Sequence, residues 1–141
     1  MKKRKILWVA LLMIFAFSAH AQNKKPYSVR GQITATATSY FFEGVFSNKS
    51  SKEVENFTIV FFVLDQDGNS PLKRRNNVVL RIQESVPPAA DFYFTKGLNE
   101  YFNESEDYSD EVEYECEYLY VSRIEYSDET EWSDPFGFDA F

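Results

Sequence analysis

Cysteine and histidine are nearly absent from this chain, and their scarcity excludes several kinds of chemistry. There is one of each, and the histidine, His20, lies within the first 21 residues. The remaining sequence therefore has no Ser-His-Asp or Cys-His nucleophile pair, and it lacks the usual His and Cys ligands of a zinc site. None of the five glycines belongs to a phosphate-binding loop. We predict a protein that is not an enzyme and that has no cofactor and no resident metal.

The single cysteine, Cys116, also excludes an internal disulfide, so the domain must be stabilised by its core. Aromatic residues make up 18% of the chain, and each ring buries a large apolar area. Cys116 alternates with Tyr114 and Tyr118 and has no basic neighbour in sequence that would activate it. We therefore expect an aromatic core and a buried, structural thiol rather than a reactive one.

The first 21 residues have the three parts of a secretory signal. A basic end, Lys2–Lys5, precedes an apolar run of twelve residues, Ile6–Phe17, and small residues follow in Ser18–Ala21. The run is shorter than the roughly 20 apolar residues of a membrane span. No cysteine follows it that a lipid could modify. The pattern predicts a signal peptide over 1–21 and an exported domain over 22–141, located in the periplasm or at the cell surface and not as a lipoprotein.

Apolar and polar residues alternate along most of the remaining chain, which is typical of half-buried strands. Turn-forming residues separate these segments. The predicted strands are 29–38, 40–46, 57–64, 78–83, 92–94, 112–126 and one that opens at 131–132. No segment has a convincing helical period. About seven short strands in one domain predict an all-β, antiparallel sandwich.

Two of these strands carry further information. Phe57–Leu64 is almost continuously apolar, so we expect both of its faces to be covered. In 112–126, aromatic residues and glutamates occupy alternate positions until Leu119 and Val121 fall on the glutamate face. A β-bulge near Leu119 would explain the change of face.

Charge is distributed unevenly along the chain, whose formal net charge is −7. Residues 97–141 contain fifteen acidic residues and one basic residue, Arg123, whereas Lys73–Arg75 form a small basic patch. A nucleic-acid-binding protein needs a larger basic footprint, so nucleic acid is not an expected partner. The acidic residues are explained by solvation, or by calcium binding in the 97–111 loop. The carboxylates proposed for calcium are Glu104, Glu106, Asp107, Asp110 and Glu111.

The same loop contains three aromatic residues in a polar context, Tyr101, Phe102 and Tyr108. They are the candidate contacts for a partner, which would be an unknown protein or glycan. The alternative is that they pack down onto the end of the sandwich, since isolated aromatic residues near a surface are ordinary.

Two short motifs resemble bacterial extracytoplasmic domains named for an F-x-L-Y-D motif. Phe62–Asp65, followed by Asp67–Asn69, resembles the motif and its turn, although the tyrosine is missing because Asp65 follows Leu64 directly. Gly44–Ser50 resembles the G-x-x-x-N-x-S strand and turn of the same family. The resemblance implies an immunoglobulin-like sandwich in the cell envelope and brings no catalytic residues.

Three hypotheses about function follow. The leading one is an exported, non-enzymatic immunoglobulin-like sandwich that serves as a binding or interaction module of the bacterial envelope. The second is a calcium-dependent binding module that uses the acidic 97–111 loop. The third, a small outer-membrane barrel, is disfavoured by the acidic strand faces and by the doubly apolar Phe57–Leu64.

Overall fold

The computed structural model describes residues 24–103 and 112–141. The predicted signal peptide, Tyr108 and the five carboxylates proposed for calcium lie outside the described residues. Within them the chain forms seven strands and one short 3₁₀ turn, Asn99–Tyr101, and no α-helix. The strands are β1 Tyr27–Ala35, β2 Tyr40–Asn48, β3 Val54–Leu64, β4 Asn77–Ile82, β5 Asp91–Gly97, β6 Glu115–Tyr126 and β7 Glu131–Ser133.

The strands pair into two antiparallel sheets, one in the order β1-β2-β5 and the other in the order β4-β3-β6-β7. The inner faces of the two sheets pack together around one core. This is the predicted antiparallel sandwich of seven strands, and its fourth strand pairs with the third. On one side of the sandwich, the hydroxyl of Tyr27 in β1 accepts a hydrogen bond from the backbone N–H of Val121 in β6, at 3.1 Å.

β3 lies inside the four-stranded sheet, between β4 and β6, and the prediction that both of its faces are covered is confirmed for the inner face and only in part for the outer one, where Thr58, Phe62 and Leu64 are half-buried. The inward residues Ile59, Phe61 and Val63 have no exposed surface, and the outward Val60 is also buried. The strand ends in a turn in which the Asp65 carboxylate accepts the backbone N–H groups of Asp67 and Asn69. Gly68 takes a φ of +80° there, a conformation that costs glycine little.

β6 contains the bulge that its sequence pattern predicts. Its register with β3 shifts between the pairs Val60–Tyr120 and Phe62–Glu117, so two β6 residues, Tyr118 and Leu119, lie opposite one β3 residue. Tyr118 has a φ of +51°, and its ring turns outward. The expectation that Tyr118 faces the core is therefore wrong, because the bulge exchanges it for Leu119, which packs against the core.

Stacked phenylalanine rings join the two sheets. Phe46 of β2 stacks on Phe57 of β3 with ring centroids 4.0 Å apart, and Phe42 of β2 stacks on Phe61 of β3 at 4.5 Å. All four rings are fully buried. Such pairs contribute about 0.5–1.5 kcal/mol each beyond the area they bury.

The ring of Phe42 lies over a glycine pair that leaves room for it. Gly31 of β1 and Gly44 of β2 are direct cross-strand partners. A Cβ atom at Gly44 would lie 2.5 Å from Phe42 Cε1 and 2.8 Å from Phe94 Cζ, and one at Gly31 would lie 2.2 Å from Phe42 Cζ. These distances are too short for non-bonded carbon atoms, so any side chain at either position must displace the stacked ring.

Gly44→Ala should therefore destabilise the fold by about 1–3 kcal/mol, the usual cost of overpacking a core. Urea unfolding followed by tryptophan or tyrosine fluorescence measures the change. Gly97→Ala is the matched control, because nothing lies within 4 Å of a Cβ atom at Gly97. Equal stability of the two variants would contradict the proposed role of the glycine pair.

Candidate functional site

The described residues expose a group of aromatic rings on the outer side of the four-stranded sheet. Tyr118, Phe136, Phe138 and Phe141 are 60%, 75%, 81% and 82% exposed. Tyr118 contacts Phe141 edge to face with ring centroids 5.9 Å apart, and Phe136 lies 5.7 Å from Phe138. Isolated exposed rings are ordinary, whereas a group of them is a candidate interaction surface. We call the following residues the aromatic surface: Phe62, Tyr118, Tyr120, Phe136, Phe138 and Phe141.

β3 and β6 supply the base of the aromatic surface. Phe62 and Tyr120 project from the outer face of the sheet, and Phe62 contacts Tyr118 edge to face at 5.7 Å. The segment after β7 crosses the ring of Tyr120. The Tyr120 hydroxyl donates a 3.2 Å hydrogen bond to the carbonyl of Pro135. Gly137 has a φ of +69°, and a Cβ atom there would lie 3.1 Å from the ring.

A buried carboxylate, Asp134, fixes the segment that carries the exposed phenylalanines. Its backbone N–H donates to the carbonyl of Ser122 at 2.9 Å, which extends the pairing of β6 and β7 by one bond. Its carboxylate accepts the backbone N–H groups of Phe138 at 3.0 Å and Asp139 at 3.1 Å. Asp134 is 5% exposed. The chain thus holds apolar rings in water by means of a buried polar anchor.

A basic cleft lies beside the aromatic surface on the same side of the sheet. It encloses about 530 Å³. Two of its residues pair directly with the outward residues of β3, Asn77 with Phe62 and Val79 with Val60. The cleft is lined by Leu72, Lys73, Arg74, Arg75, Asn77, Val79, Glu100 and Tyr101.

The sequence-predicted contacts separate in the structure. Tyr101 is half-buried and lines the basic cleft. Burial, followed by the charge of Glu100 and a hydrogen bond to its carboxylate, raises the pKa of Tyr101. Phe102 is 1% exposed and stacks on Tyr40 with ring centroids 4.4 Å apart. Phe102 is therefore a core residue and not a surface contact, because the bridge between Leu72 and Phe102 draws this part of the loop onto the sandwich. Tyr108 lies outside the described residues.

Cys116 lies near the start of β6, half-buried beside the core. Burial, together with the charge of Glu117, raises the pKa of its thiol to about 12. The structural thiol expected from the sequence is thus only partly enclosed, yet it is strongly disfavoured as a thiolate.

The other end of the same outer sheet face consists of charges that neutralise one another. Glu125 bonds to Arg81 and to Arg123, both at 3.0 Å, and Arg123 bonds to Glu131 at 2.6 Å. A hydrogen bond from Asn56, followed by the two arginines, holds the pKa of Glu125 below its usual value. Residues 24–103 and 112–141 contain no group of three or more His, Cys, Asp or Glu side chains that could hold a metal ion.

Sequence reasoning missed the aromatic surface, although a signal was present. Phe136, Phe138 and Phe141 follow a predicted strand end in an otherwise polar segment. Three apolar rings within six residues, interrupted by Gly137 and Asp139, do not fit a buried strand. Closely spaced phenylalanines in a polar segment after a strand therefore indicate exposed rings rather than core rings.

Comparisons of the chain with protein-family models, with curated proteins and with solved structures found no match. Within the part of the chain that the structure describes, no helix combines the length and hydropathy needed to span a membrane.

Asp134→Ala should release the segment that displays the phenylalanines. The backbone N–H groups of Phe138 and Asp139 would lose their acceptor, and hydrogen bonds to a charged group contribute about 1.5–3 kcal/mol. Amide hydrogen exchange at these two positions, followed by NMR, should accelerate at least about tenfold. The control is Asp128→Ala in the turn before β7, which should leave both amides protected. Unchanged exchange in Asp134→Ala would show that the buried carboxylate does not organise the segment.

Cys116 should react slowly with a thiol reagent while the protein is folded. At pH 8 a thiol with a pKa of about 12 is ionised to about one part in 10⁴, against roughly one quarter for an ordinary cysteine in the unfolded chain. Modification by dithionitrobenzoate should therefore be at least about 100-fold slower in buffer than in urea. A folded protein that reacts as fast as the unfolded chain would show that the thiol is not suppressed.

Proposed function

We propose that this chain is an exported, non-enzymatic β-sandwich protein of the bacterial cell envelope that binds a protein partner through its aromatic surface. One observation carries the proposal: four rings in two contacting pairs, Tyr118 with Phe141 and Phe136 with Phe138, are each at least 60% exposed. Exposing them costs free energy that a partner would recover, since burial of apolar area contributes roughly 25 cal/mol per Å².

A protein suits this surface better than a glycan. Three of the four most exposed rings are phenylalanines, which have no polar group to bind the hydroxyls of a sugar. Aromatic residues are enriched at the centres of protein–protein interfaces and supply many of their energetic hot spots. The anchored segment 134–140 presents Phe136 and Phe138 in a defined arrangement. Such preorganisation lowers the entropic cost of binding.

The export and envelope parts of the proposal are supported by the sequence of residues 1–21 and by the resemblance to the F-x-L-Y-D domains. Both remain predictions. Calcium binding by the 97–111 loop also remains a prediction, because its five carboxylates lie outside the described residues. A rise in melting temperature on addition of Ca²⁺ would support calcium binding, since a ligand that binds only the folded state must stabilise it.

A photo-crosslinking pair tests the aromatic surface in the native envelope. Benzoylphenylalanine at position 138 should crosslink to a specific protein, and Phe136→Ser with Phe141→Ser in the same chain should reduce that crosslink at least about tenfold, as expected for hot-spot residues. The matched control is benzoylphenylalanine at position 93, because Tyr93 is 69% exposed but belongs to β5 of the other sheet.

The folded state must be checked in the same experiment. The substituted rings are exposed, so the melting temperature should change little. An identical crosslink from positions 93 and 138, or a crosslink that survives the two serine substitutions, would contradict the proposed surface.

A further inference from the structure

The basic cleft contains a cluster of charges that the rest of the described chain does not neutralise. Lys73, Arg74 and Arg75 are exposed, and none of them forms an ion pair with residues 24–103 or 112–141. By contrast, Lys52 pairs with Asp128, while Arg81 and Arg123 both pair with Glu125. The cluster is a local exception in a chain whose net charge is −7.

Backbone hydrogen bonds fix the segment in which this cluster begins. The N–H of Lys73 donates to the carbonyl of Tyr101 at 3.0 Å, and the N–H of Asn103 donates to the carbonyl of Pro71 at 3.0 Å. A bridge between Leu72 and Phe102 lies between them. The backbone is therefore fixed at Lys73, the first of the three cations, and Tyr101 lines the same cleft.

The cleft opens onto a sheet edge. β4 is the outermost strand of the four-stranded sheet, and β3 is its one strand partner among the described residues. Alternate residues of an edge strand direct their N–H and C=O groups away from that partner, where a further strand can pair with them. Asn77 and Val79 of β4 themselves line the cleft, so this edge of the described sheet and the cations adjoin.

We propose that the basic cleft and the edge of β4 together bind an acidic, extended peptide segment by strand addition. The peptide backbone pairs with β4, and its carboxylates contact Lys73, Arg74 and Arg75. Arginine binds carboxylates through two parallel N–H donors. The anionic glycan that the same cations would also attract is disfavoured, because it has no backbone that matches a strand edge.

The acidic residue in the cleft restricts where the peptide lies. The Glu100 carboxylate accepts a hydrogen bond from the Tyr101 hydroxyl, and its negative charge repels another carboxylate. The peptide therefore runs along the wall formed by Lys73–Arg75 and contacts the ring of Tyr101 rather than its hydroxyl. Basic residues beside a sheet edge also repel basic strands. The charges that discourage unspecific strand pairing at β4 therefore favour a strand with acidic side chains.

This site is separate from the aromatic surface and its test is independent of the proposed function. The probe is a fluorescent peptide of about ten residues that alternates Glu and Thr, because alternation places all carboxylates on one face of a strand. Its anisotropy should rise on titration with the purified protein. The equivalent Gln-Thr peptide should bind at least about tenfold more weakly, and salt should weaken the binding of the acidic peptide.

Charge reversal locates the site. The triple variant Lys73→Glu, Arg74→Glu, Arg75→Glu should weaken binding of the acidic peptide at least about tenfold. The control is a second triple variant that changes the net charge equally but at exposed positions associated with the other sheet: Arg30→Glu, Lys49→Glu, Lys96→Glu. It should retain most of the binding. Phe136→Ser with Phe138→Ser should bind the peptide as the wild type does, which separates this site from the aromatic surface.

A methylated probe tests strand addition itself. Methyl groups on alternate backbone nitrogens of the Glu-Thr peptide, placed in either of the two registers, leave its charge unchanged but remove donors that pair with a strand. At least one of the two methylated peptides should lose binding. The proposal is overturned if both bind as well as the unmodified peptide, if the two triple charge reversals weaken binding equally, or if the acidic peptide does not bind.

Discussion

The stacked rings between β2 and β3 are the contact on which the rest of the structure depends. Phe42 with Phe61 and Phe46 with Phe57 join the middle strand of one sheet to an inner strand of the other. A chain with one cysteine cannot cross-link its sheets internally, so ring packing must supply that cohesion. Flat stacking needs space beneath the ring, which is why Gly31 and Gly44, poor strand formers, are paired under Phe42.

The bulges of β6 connect this core to the outer surface. A strand with perfect alternation would place Tyr118 and Val121 on opposite faces, with Tyr118 toward the rings. The bulge at Tyr118 and Leu119 instead directs Leu119 inward and releases Tyr118 to meet Phe62 and Phe141. Bulges often re-aim a side chain in this way near functional sites. The residue that alters the register is therefore also part of the aromatic surface.

The sequence predicted what depends on local periodicity and missed what depends on contact between distant segments. Alternation identified the seven strands, and the change of face near Leu119 located the bulge. By contrast, the local sequence around Phe102 is that of an exposed loop. Its burial depends on a bridge to Leu72 and on stacking against Tyr40, and local periodicity does not reveal contacts between residues so far apart in the chain. The cleft was missed for the same reason, since Tyr101 and Lys73 meet only through backbone bonds between two loops.

The two ends of the outer face of the four-stranded sheet differ in a way that solubility alone does not explain. At one end, Arg81, Arg123, Glu125 and Glu131 neutralise one another in a connected network. Surface pairs of this kind contribute little to stability, about 0–1 kcal/mol each, but they neutralise the charges at this end of the face. At the other end, the aromatic surface lies beside a cleft whose three cations have no described ion partner. A surface selected only for solubility would intersperse charges over the rings, whereas here the rings and the cations occupy distinct neighbouring areas, as the two proposed binding sites require.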